Sequence, residues 1–199
     1  MQTQELLEHR LAFEKLISAI STNFINVAAE DVDCEISGAL ESVGRFVGAD
    51  RAYIYMVSDD RQSALLAYEW NADPNVIRGP GVQIPLTTFP WTASKLIELQ
   101  QVAVSIDDLP PDAVAEREAF RRAGNHSIVV VPMIYNREFL GALGVACGVP
   151  HTWTEEAVSL LRICGEIFVN AIQRHRAEAA LRSSEQRHRV LFERNLAGV

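Results

Sequence analysis

The chain has 199 residues, 48% of them hydrophobic and 22% charged, with a formal net charge of −8. That length holds one well-buried domain with appendages, and the composition excludes collagenous, disulfide-dense and disordered classes. The acidic balance speaks against general nucleic-acid binding, which needs clustered Lys and Arg to neutralise phosphates.

The charge is uneven. Residues 173–199 carry six Arg against three Glu, a net +3, which leaves −11 on the first 172 residues. This basic tract reads as a solvated helical linker rather than a polyanion site. The longest apolar run, 128–135, is far short of the ~18 to 20 residues of a bilayer span. Residues 1–5 lack the basic flank and apolar core of a secretory signal, so the expected location is the cytoplasm.

Residues 2–27 place Leu6, Arg10, Phe13, Ile17, Ile20, Phe24 and Val27 at alternating steps of four and three. This is a heptad-like stripe on a helix of about seven turns, and so narrow a stripe suits a helix–helix seam. Asp31 or Asp33 is expected to cap a second helix, with Ile36, Leu40, Val43, Phe46 and Val47 at helical spacing until Gly48-Ala49-Asp50 stops it. Residues 51–57 alternate Ala52, Ile54 and Met56 with Tyr53, Tyr55 and Val57, and a polar turn at 58–62 leads into a second strand, 63–70.

Pro74, Gly79, Pro80, Gly81, Pro85 and Pro90 then break regular structure before a short helix at 92–100. A short strand at 102–106 and an amphipathic helix at 113–123, closed by Gly124, follow. Two strands at 127–134 and 139–147 meet around Asn136-Arg137, where Asn tolerates the positive φ of a tight hairpin. Both are apolar at nearly every position, so both faces of their sheet should be covered. A long helix begins at Trp153-Thr154-Glu155-Glu156 and continues through the arginine-rich tract. The element order gives an α+β fold: a mostly antiparallel central sheet of five to six strands, helices on both sides, and long N- and C-terminal helices. Cys34, Cys147 and Cys164 stand singly, with no C-x-x-C pair and no paired histidines at metal-ligand spacing, and read as reduced core residues.

Several runs recur together in a telling order. They are Arg51-Ala52-Tyr53-Ile54-Tyr55, Val82-Gln83-Ile84-Pro85-Leu86 before Phe89-Pro90-Trp91, Val102 through Asp107-Asp108-Leu109-Pro110, Glu116-Arg117 leading to Gly124, Ser127 through Pro132, Leu140-Gly141-Ala142-Leu143-Gly144-Val145, and Trp153-Thr154-Glu155-Glu156. In this order and spacing, residues 30–172 resemble the GAF domains of signalling proteins. Ser184-Glu185-Gln186-Arg187-His188-Arg189-Val190-Leu191-Phe192-Glu193-Arg194-Asn195 resembles the N-terminal cap and first strand of a PAS domain.

The implied organisation is a dimerisation helix at 1–29, a GAF domain at 30–172, a helical linker at 173–187 and the start of a PAS domain at 188–199. Tandem modules of this kind resemble the input region of bacterial sensor histidine kinases, in two-component systems, or of diguanylate cyclases. The chain has no phosphoacceptor histidine motif, ATP lid or cyclase signature, and no Ser-His-Asp signature, nucleophile elbow or P-loop. It is expected to be regulatory and not an enzyme.

The resemblance implies a small-molecule pocket between the sheet and a cover formed by residues 71–126. Phe89 and Trp91, facing Tyr53, Tyr55 and Tyr68, could stack a planar ligand or simply fill the core. Asp107 and Asp108 could accept hydrogen bonds from a ligand or bond their own backbone in a turn. His126, between Asn125 and Ser127 at the mouth of a strand, offers a haem ligand or pyrrole contact, or serves as a capping histidine.

No cofactor is assigned, and a covalent bilin is not expected. Bilin-binding relatives use a pocket-wall cysteine, and none lies between Cys34 and Cys147. The Asn-Lys-x-Phe-Asp-Glu pattern of cyclic-nucleotide-binding relatives is missing. GAF-type free methionine sulfoxide reductases use cysteines on covering loops, whereas these fall on expected helices and an inner strand.

Signalling is then expected to reside in the helices. At 3.5-residue steps, Leu160, Ile163, Ile167, Asn170, Arg174, Ala177, Leu181, Ser184, His188 and Leu191 form one seam, strongly apolar until about Gln173 and weak beyond. A weak seam suits a two-state linker, whose packings must differ by only a few kcal/mol; the plain alternative is a spacer helix. The expectation is a parallel homodimer in which Leu6, Phe13, Ile17, Ile20 and Phe24 share a bundle with Leu160, Ile163, Ile167 and Leu181, its rotation or register set by the pocket. Three functions stand side by side: a ligand-sensing module acting on downstream PAS and output domains, a dimerisation module with a filled vestigial pocket, and a non-covalent haem sensor.

Overall fold

The computed structural model describes the backbone of residues 2–76 and 79–196 and the side chains of residues 4, 7–76 and 79–187. Leu6, His188 and Leu191 of the expected seams lie outside the described side chains. The elements run α1 (Gln2–Asn26), α2 (Val32–Phe46), β1 (Arg51–Val57), β2 (Ser63–Asn71), β3 (Gln83–Pro85), α3 (Pro90–Ile97), β4 (Val102–Ser105), α4 (Val114–Ala123), β5 (Ser127–Tyr135), β6 (Glu138–Cys147) and α5 (Glu155–Leu196). The six strands form one sheet in the order β3-β2-β1-β6-β5-β4, with every pair antiparallel.

Local chemistry accounts for most boundaries. Asn136 and Arg137 have φ of 50° and 67°, the two consecutive positive values of a tight hairpin turn, and join β5 to β6. Gly124, at φ 71°, ends α4 in the left-handed region that costs glycine nothing. The α3 helix starts at Pro90 rather than Thr92, because proline at the first helical position presets φ and gives up an N–H with no intrahelical partner. The segment broken by prolines still forms an edge strand, β3, with Pro85 at its last position opposite Ser63, where a missing donor is tolerated. Asp31 occupies the N-cap position of α2 but makes no side-chain cap bond, and Asp33 instead accepts the Tyr68 hydroxyl at 2.5 Å.

Two cores lie on opposite sides of the sheet. On the first face, Ala52, Ile54 and Met56 of β1 with Val129, Val131, Leu143 and Val145 of the central hairpin pack against α1, α2 and α5. On the second, Tyr53, Leu66, Ile128, Val130 and Ala142 meet Leu96, Ile106, Leu109 and Phe120 from the segment that contains α3 and α4.

The expected dimer seams prove largely internal. Ile20, Phe24 and Leu160 are 4%, 5% and 0% exposed and belong to the protomer's own core. Phe13, Ile17 and Ile167 pack half-buried on that core, and Ile163 is half-buried beside it. The narrow stripe of α1 is therefore a helix–helix seam within one chain, closing α1 over α2 and α5. Leu181 is exposed, as are Leu7, Leu11 and Ile25 on the opposite side of α1. Cys147 and Cys164 are buried as expected, whereas Cys34 is exposed, off the Val32, Ile36, Leu40, Val43 stripe of α2.

The last buried residue of α5 is Ile172 among the described side chains. Just beyond it, Arg174 Nη2 donates to the carbonyls of Phe24 and Val27 at 3.2 and 3.4 Å, satisfying acceptors that the end of α1 leaves without helical partners. The backbone of 188–196 is helical, with no strand among these described residues. No helix of the described residues is long and apolar enough to cross a membrane.

Candidate functional site

The floor of the site begins with a glycine. Gly144 of β6 pairs with Tyr53 of β1, and a Cβ at that position would come within 2.5–2.6 Å of the Tyr53 ring and hydroxyl. Glycine thus makes the notch in which the ring lies. Gly141 is likewise held against the Tyr55 carbonyl and Met56. The Leu140-Gly141-Ala142-Leu143-Gly144 spacing is therefore a packing requirement of β1 against β6. Tyr53 meets Tyr55 edge-on, with centroids 5.6 Å apart. Arg51, on the same face by the two-residue period of a strand, sets its guanidinium 4.5 Å from the Tyr53 ring centroid. The Arg51 Nε donates to Glu69 Oε1 at 2.5 Å, and the Glu69 side chain is 1% exposed.

The cover is tied together by one buried carboxylate. Glu116 of α4 is 0% exposed, and its Oε1 accepts the backbone N–H of Trp91 and of Thr92 at 2.5 and 3.1 Å. A carboxyl oxygen at the first turn of α3 thus meets that helix's orphan donors. Arg117, the next residue, donates to the Leu109 carbonyl at 2.8 Å, and Phe89 stacks on Phe120 at 5.5 Å. Glu116 Oε2 and Thr92 Oγ1 are buried without a hydrogen-bond partner among the described residues.

Between floor and cover lies a cavity of about 610 Å³, within the range of small-molecule sites. Tyr53, Tyr55, Val130 and Ala142 line it from the sheet, and Leu86, Phe89, Leu96 and Phe120 from the cover. Its polar lining comes from Arg51, Thr88, Thr92, Arg122 and Asn125, with no acidic side chain among the described lining residues. Burial pushes the Tyr53 phenol up to about 12, with Arg51 opposing and Tyr55 adding to the shift, so at neutral pH it is a hydrogen-bond donor.

Of the residues expected to contact a ligand, Tyr53, Tyr55 and Phe89 line the cavity. Trp91 packs on the same core beside them and is not a lining residue. Tyr68 lies on the opposite face, packed on the core of α2 and α5. The cause is a bulge: Ile54 pairs with Tyr68 and Tyr55 with Leu66, leaving Ala67 unpaired and reversing which residues of β2 face the cavity.

Asp107 is exposed, and its Oδ2 is 3.4 Å from His126 Nε2; His126 Nδ1 is 3.3 Å from Ser105 Oγ. Neither residue lines the cavity. Ser127 is buried, and its Oγ accepts the His151 backbone N–H at 3.0 Å, anchoring the connection into α5. Arg51, Thr92, Arg122 and Asn125 were not anticipated. Only Arg51 had a signal, its i, i+2, i+4 relation to Tyr53 and Tyr55.

The cysteines do not fit a thioether-held bilin. Cys34 is exposed on α2, and Cys147 and Cys164 belong to the core on the opposite face, so no sulfur lines the cavity. Burial raises both of those thiols, Cys164 to about 12.

Solved structures share this fold. The phycoerythrobilin-bound GAF domain from a cyanobacterial phytochrome has a TM-score of 0.72 at 18% identity, covering 85% of this chain and 99% of that one. The GAF domain from an Acinetobacter phosphoenolpyruvate-protein phosphotransferase gives 0.65 at 16%, covering 84% and 97%. Its counterpart from Coxiella burnetii gives 0.68 at 15%, covering 85% and 98%. No protein of curated function matches the chain. The family profile described as GAF domain matches residues 31–172, and with its alternating β1, its glycine-notched hairpin and its covered cavity the chain belongs to the GAF domain family.

Proposed function

We propose that the chain is a sensory and regulatory module of a bacterial signal-transduction protein. It binds a small molecule non-covalently in the cavity and relays its presence through α1 and α5 to a downstream PAS domain and an output domain of histidine-kinase or diguanylate-cyclase type. The observation that carries this reading is the 610 Å³ cavity between sheet and cover. A similar GAF domain bound to phycoerythrobilin supports it.

The relay has a short path. Val130 of β5 lines the cavity, while its neighbours Val129 and Val131 belong to the core that holds α5. Pressure on the floor therefore reaches the long helix across a single strand. The module works in the cytoplasm as a parallel homodimer without catalytic activity of its own, and the dimer contact uses Leu7, Leu11 and Ile25 of α1 with Leu181 of α5, which are 49–69% exposed.

A pure dimerisation module is the second reading, favoured by that same apolar stripe, but its filled pocket has no support in a cavity of this size. The haem reading loses its ligand, because His126 lies outside the lining and faces Ser105 and Asp107.

Native mass spectrometry of the purified chain over a dilution series tests the proposal. The expected result is a dimer carrying an adduct of a few hundred daltons that is lost on denaturation. A monomer at every concentration would overturn the relay through paired helices, and a dimer that takes up no small molecule, even from cell extract, would favour the dimerisation module.

A further inference from the structure

We infer that the ligand is an amphipathic organic anion, its acidic group held at the end of the cavity formed by Arg51, Arg122 and Asn125 and its apolar body lying toward Val57, Leu86 and Phe139. The inference rests on the proposal that this cavity binds a small molecule.

Strand register brings the polar residues to one end. Arg51 opens β1 and pairs with Ala146 near the end of β6, and Ala146 pairs with Ile128 near the start of β5. Asn125 lies just before β5, and Arg122 is in the last turn of α4 that leads to it. At the other end, Val57 closes β1 opposite Ala64, Phe139 stands near the start of β6, and the Leu86 N–H is bonded to the Gln62 carbonyl beside the start of β2. All six residues line the same space. The cavity thus has both of its described arginines at one end, while the other is mainly apolar, with Thr88 in the same turn as Leu86.

The sign of this polarity runs against the chain as a whole. The protein carries −8, yet the charged lining residues are two arginines, with no carboxylate among the described ones. Glu69 partly balances Arg51, with its Oε1 on Nε and its Oε2 buried without a partner among the described residues. The outer guanidinium donors, which make no hydrogen bond to Glu69, are the ones assigned to an oxyanion. Thr92 is 7% exposed and lines the cavity, and its hydroxyl has no partner among the described residues. A buried hydroxyl left unpaired is uncommon in folded proteins, and on the cavity wall this one is placed to donate to a bound acceptor, whereas Glu69 Oε2 and Glu116 Oε2 are likewise without a partner among the described residues. The protonated Tyr53 hydroxyl adds a donor and no negative charge. A lining rich in donors, with no carboxylate among its described residues, favours an acceptor-bearing anion even though Glu69 and Glu116 stand behind Arg51 and Thr92, and the Tyr53, Tyr55, Phe89 and Phe120 rings favour an aromatic body.

The test compares two fluorescent probes with the same aromatic body, the sulfonate 8-anilinonaphthalene-1-sulfonate and the neutral N-phenyl-1-naphthylamine, titrated into the full chain. The anion is expected to bind about tenfold more tightly, as hydrogen bonds to charged groups imply. Arg122→Gln, at an exposed position, should weaken the anion about fivefold and leave the neutral probe within about twofold, given the smaller worth of a partly solvated charge. Arg51→Lys, which keeps a cation beside Glu69, should also weaken the anion selectively. Ala142→Phe, which fills the floor, should remove both probes and so places them in the cavity.

Equal affinities, or an Arg122→Gln variant that weakens both probes alike, would overturn the anion inference and leave the small-molecule cavity standing. Failure of both probes to bind, or binding that Ala142→Phe does not touch, would overturn both the inference and the cavity reading beneath it.

Discussion

On the face of the sheet that carries α1, α2 and α5, Ile36, Leu40, Val43, Leu143, Leu161 and Phe168 are completely enclosed. On the other face, Tyr55 and Phe89 stay half-buried and border a space of about 610 Å³. The same strands serve both faces, so the difference comes from what covers them. Long helices with continuous apolar stripes interdigitate with the sheet and reach the density of a protein interior. The second cover is built from a loop, 3₁₀ turns, an edge strand and the eight- and ten-residue helices α3 and α4. Pieces so short have many backbone ends to satisfy, and Glu116 and Arg117 satisfy some of them. They hold one another together without collapsing onto the floor. One face of the fold is thereby densely packed, and the other is left with an open cavity.

The sharpest way to break this comparison is to truncate one aromatic on each side. Phe168→Ala, on the dense face against Phe24, should lower unfolding free energy by about 3–5 kcal/mol, the usual cost of removing a fully enclosed ring. Phe89→Ala, which already borders open space, should cost only about 1–2 kcal/mol. Equal losses in urea titrations would show that the two covers are packed alike.

Alkaline pH probes both faces at once. The folded chain keeps Cys164 on the dense face and Tyr53 on the cavity face protonated to about 12, above their ordinary values of 9.0 and 10.0. Because the raised values favour the protonated, folded form, their contribution is complete below pH 9 and 10 and is lost as pH climbs toward 12. Each loss is on the order of 2–4 kcal/mol. Cys164→Ala should remove the part of the decline that starts near pH 9, and Tyr53→Phe the part that starts near pH 10, in denaturation measured across that range. A decline unchanged in both variants would mean that neither group is kept from ionising by its burial.

A smaller effect than the loss of Phe168 or the alkaline decline sharpens the boundary between the faces. Gly144→Ala places a methyl group where the Tyr53 ring lies, which should cost about 1–3 kcal/mol as overpacking and push the ring into the cavity. Heteronuclear NMR should show shifts concentrated at Tyr53, Tyr55 and other cavity-lining residues. Shifts spread equally over α2 and α5 would contradict a notch that serves the cavity side.

Much of the architecture could be read before any coordinates. The alternation of 51–57 put Tyr53 and Tyr55 on one face, Asn136-Arg137 marked the turn that joins the central strands, and Gly124 marked the end of a helix. Each of these depends on a handful of neighbouring residues. The short strand Gln83–Pro85 was obscured because its prolines signal a break, while its pairing with Ser63 to Leu65 depends on residues twenty positions away. The capping role expected of Asp31 or Asp33 was not realised: Asp31 holds the N-cap position without a side-chain bond, and Asp33 lies inside α2, where it accepts the Tyr68 hydroxyl from β2. The heptad stripe of α1 was legible as a seam, but nothing local told whether its partner was α5 of the same chain or α1 of another copy.

By itself the sequence determined the family, the antiparallel order of its main strands, the face of β1 that carries the tyrosines and the long helix that leaves the domain. These follow from periodicity, turn chemistry and the family's run of motifs, all written along the chain. Only the tertiary structure decided that a bulge at Ala67 turns Tyr68 away, that Asp107, His126 and Ser127 stand outside the cavity, and that Arg122 and Asn125 join Arg51 at one end of it. Local spacing fixes which side chains share a face. What each face meets is settled by strand pairing and by covers that arrive from distant parts of the chain.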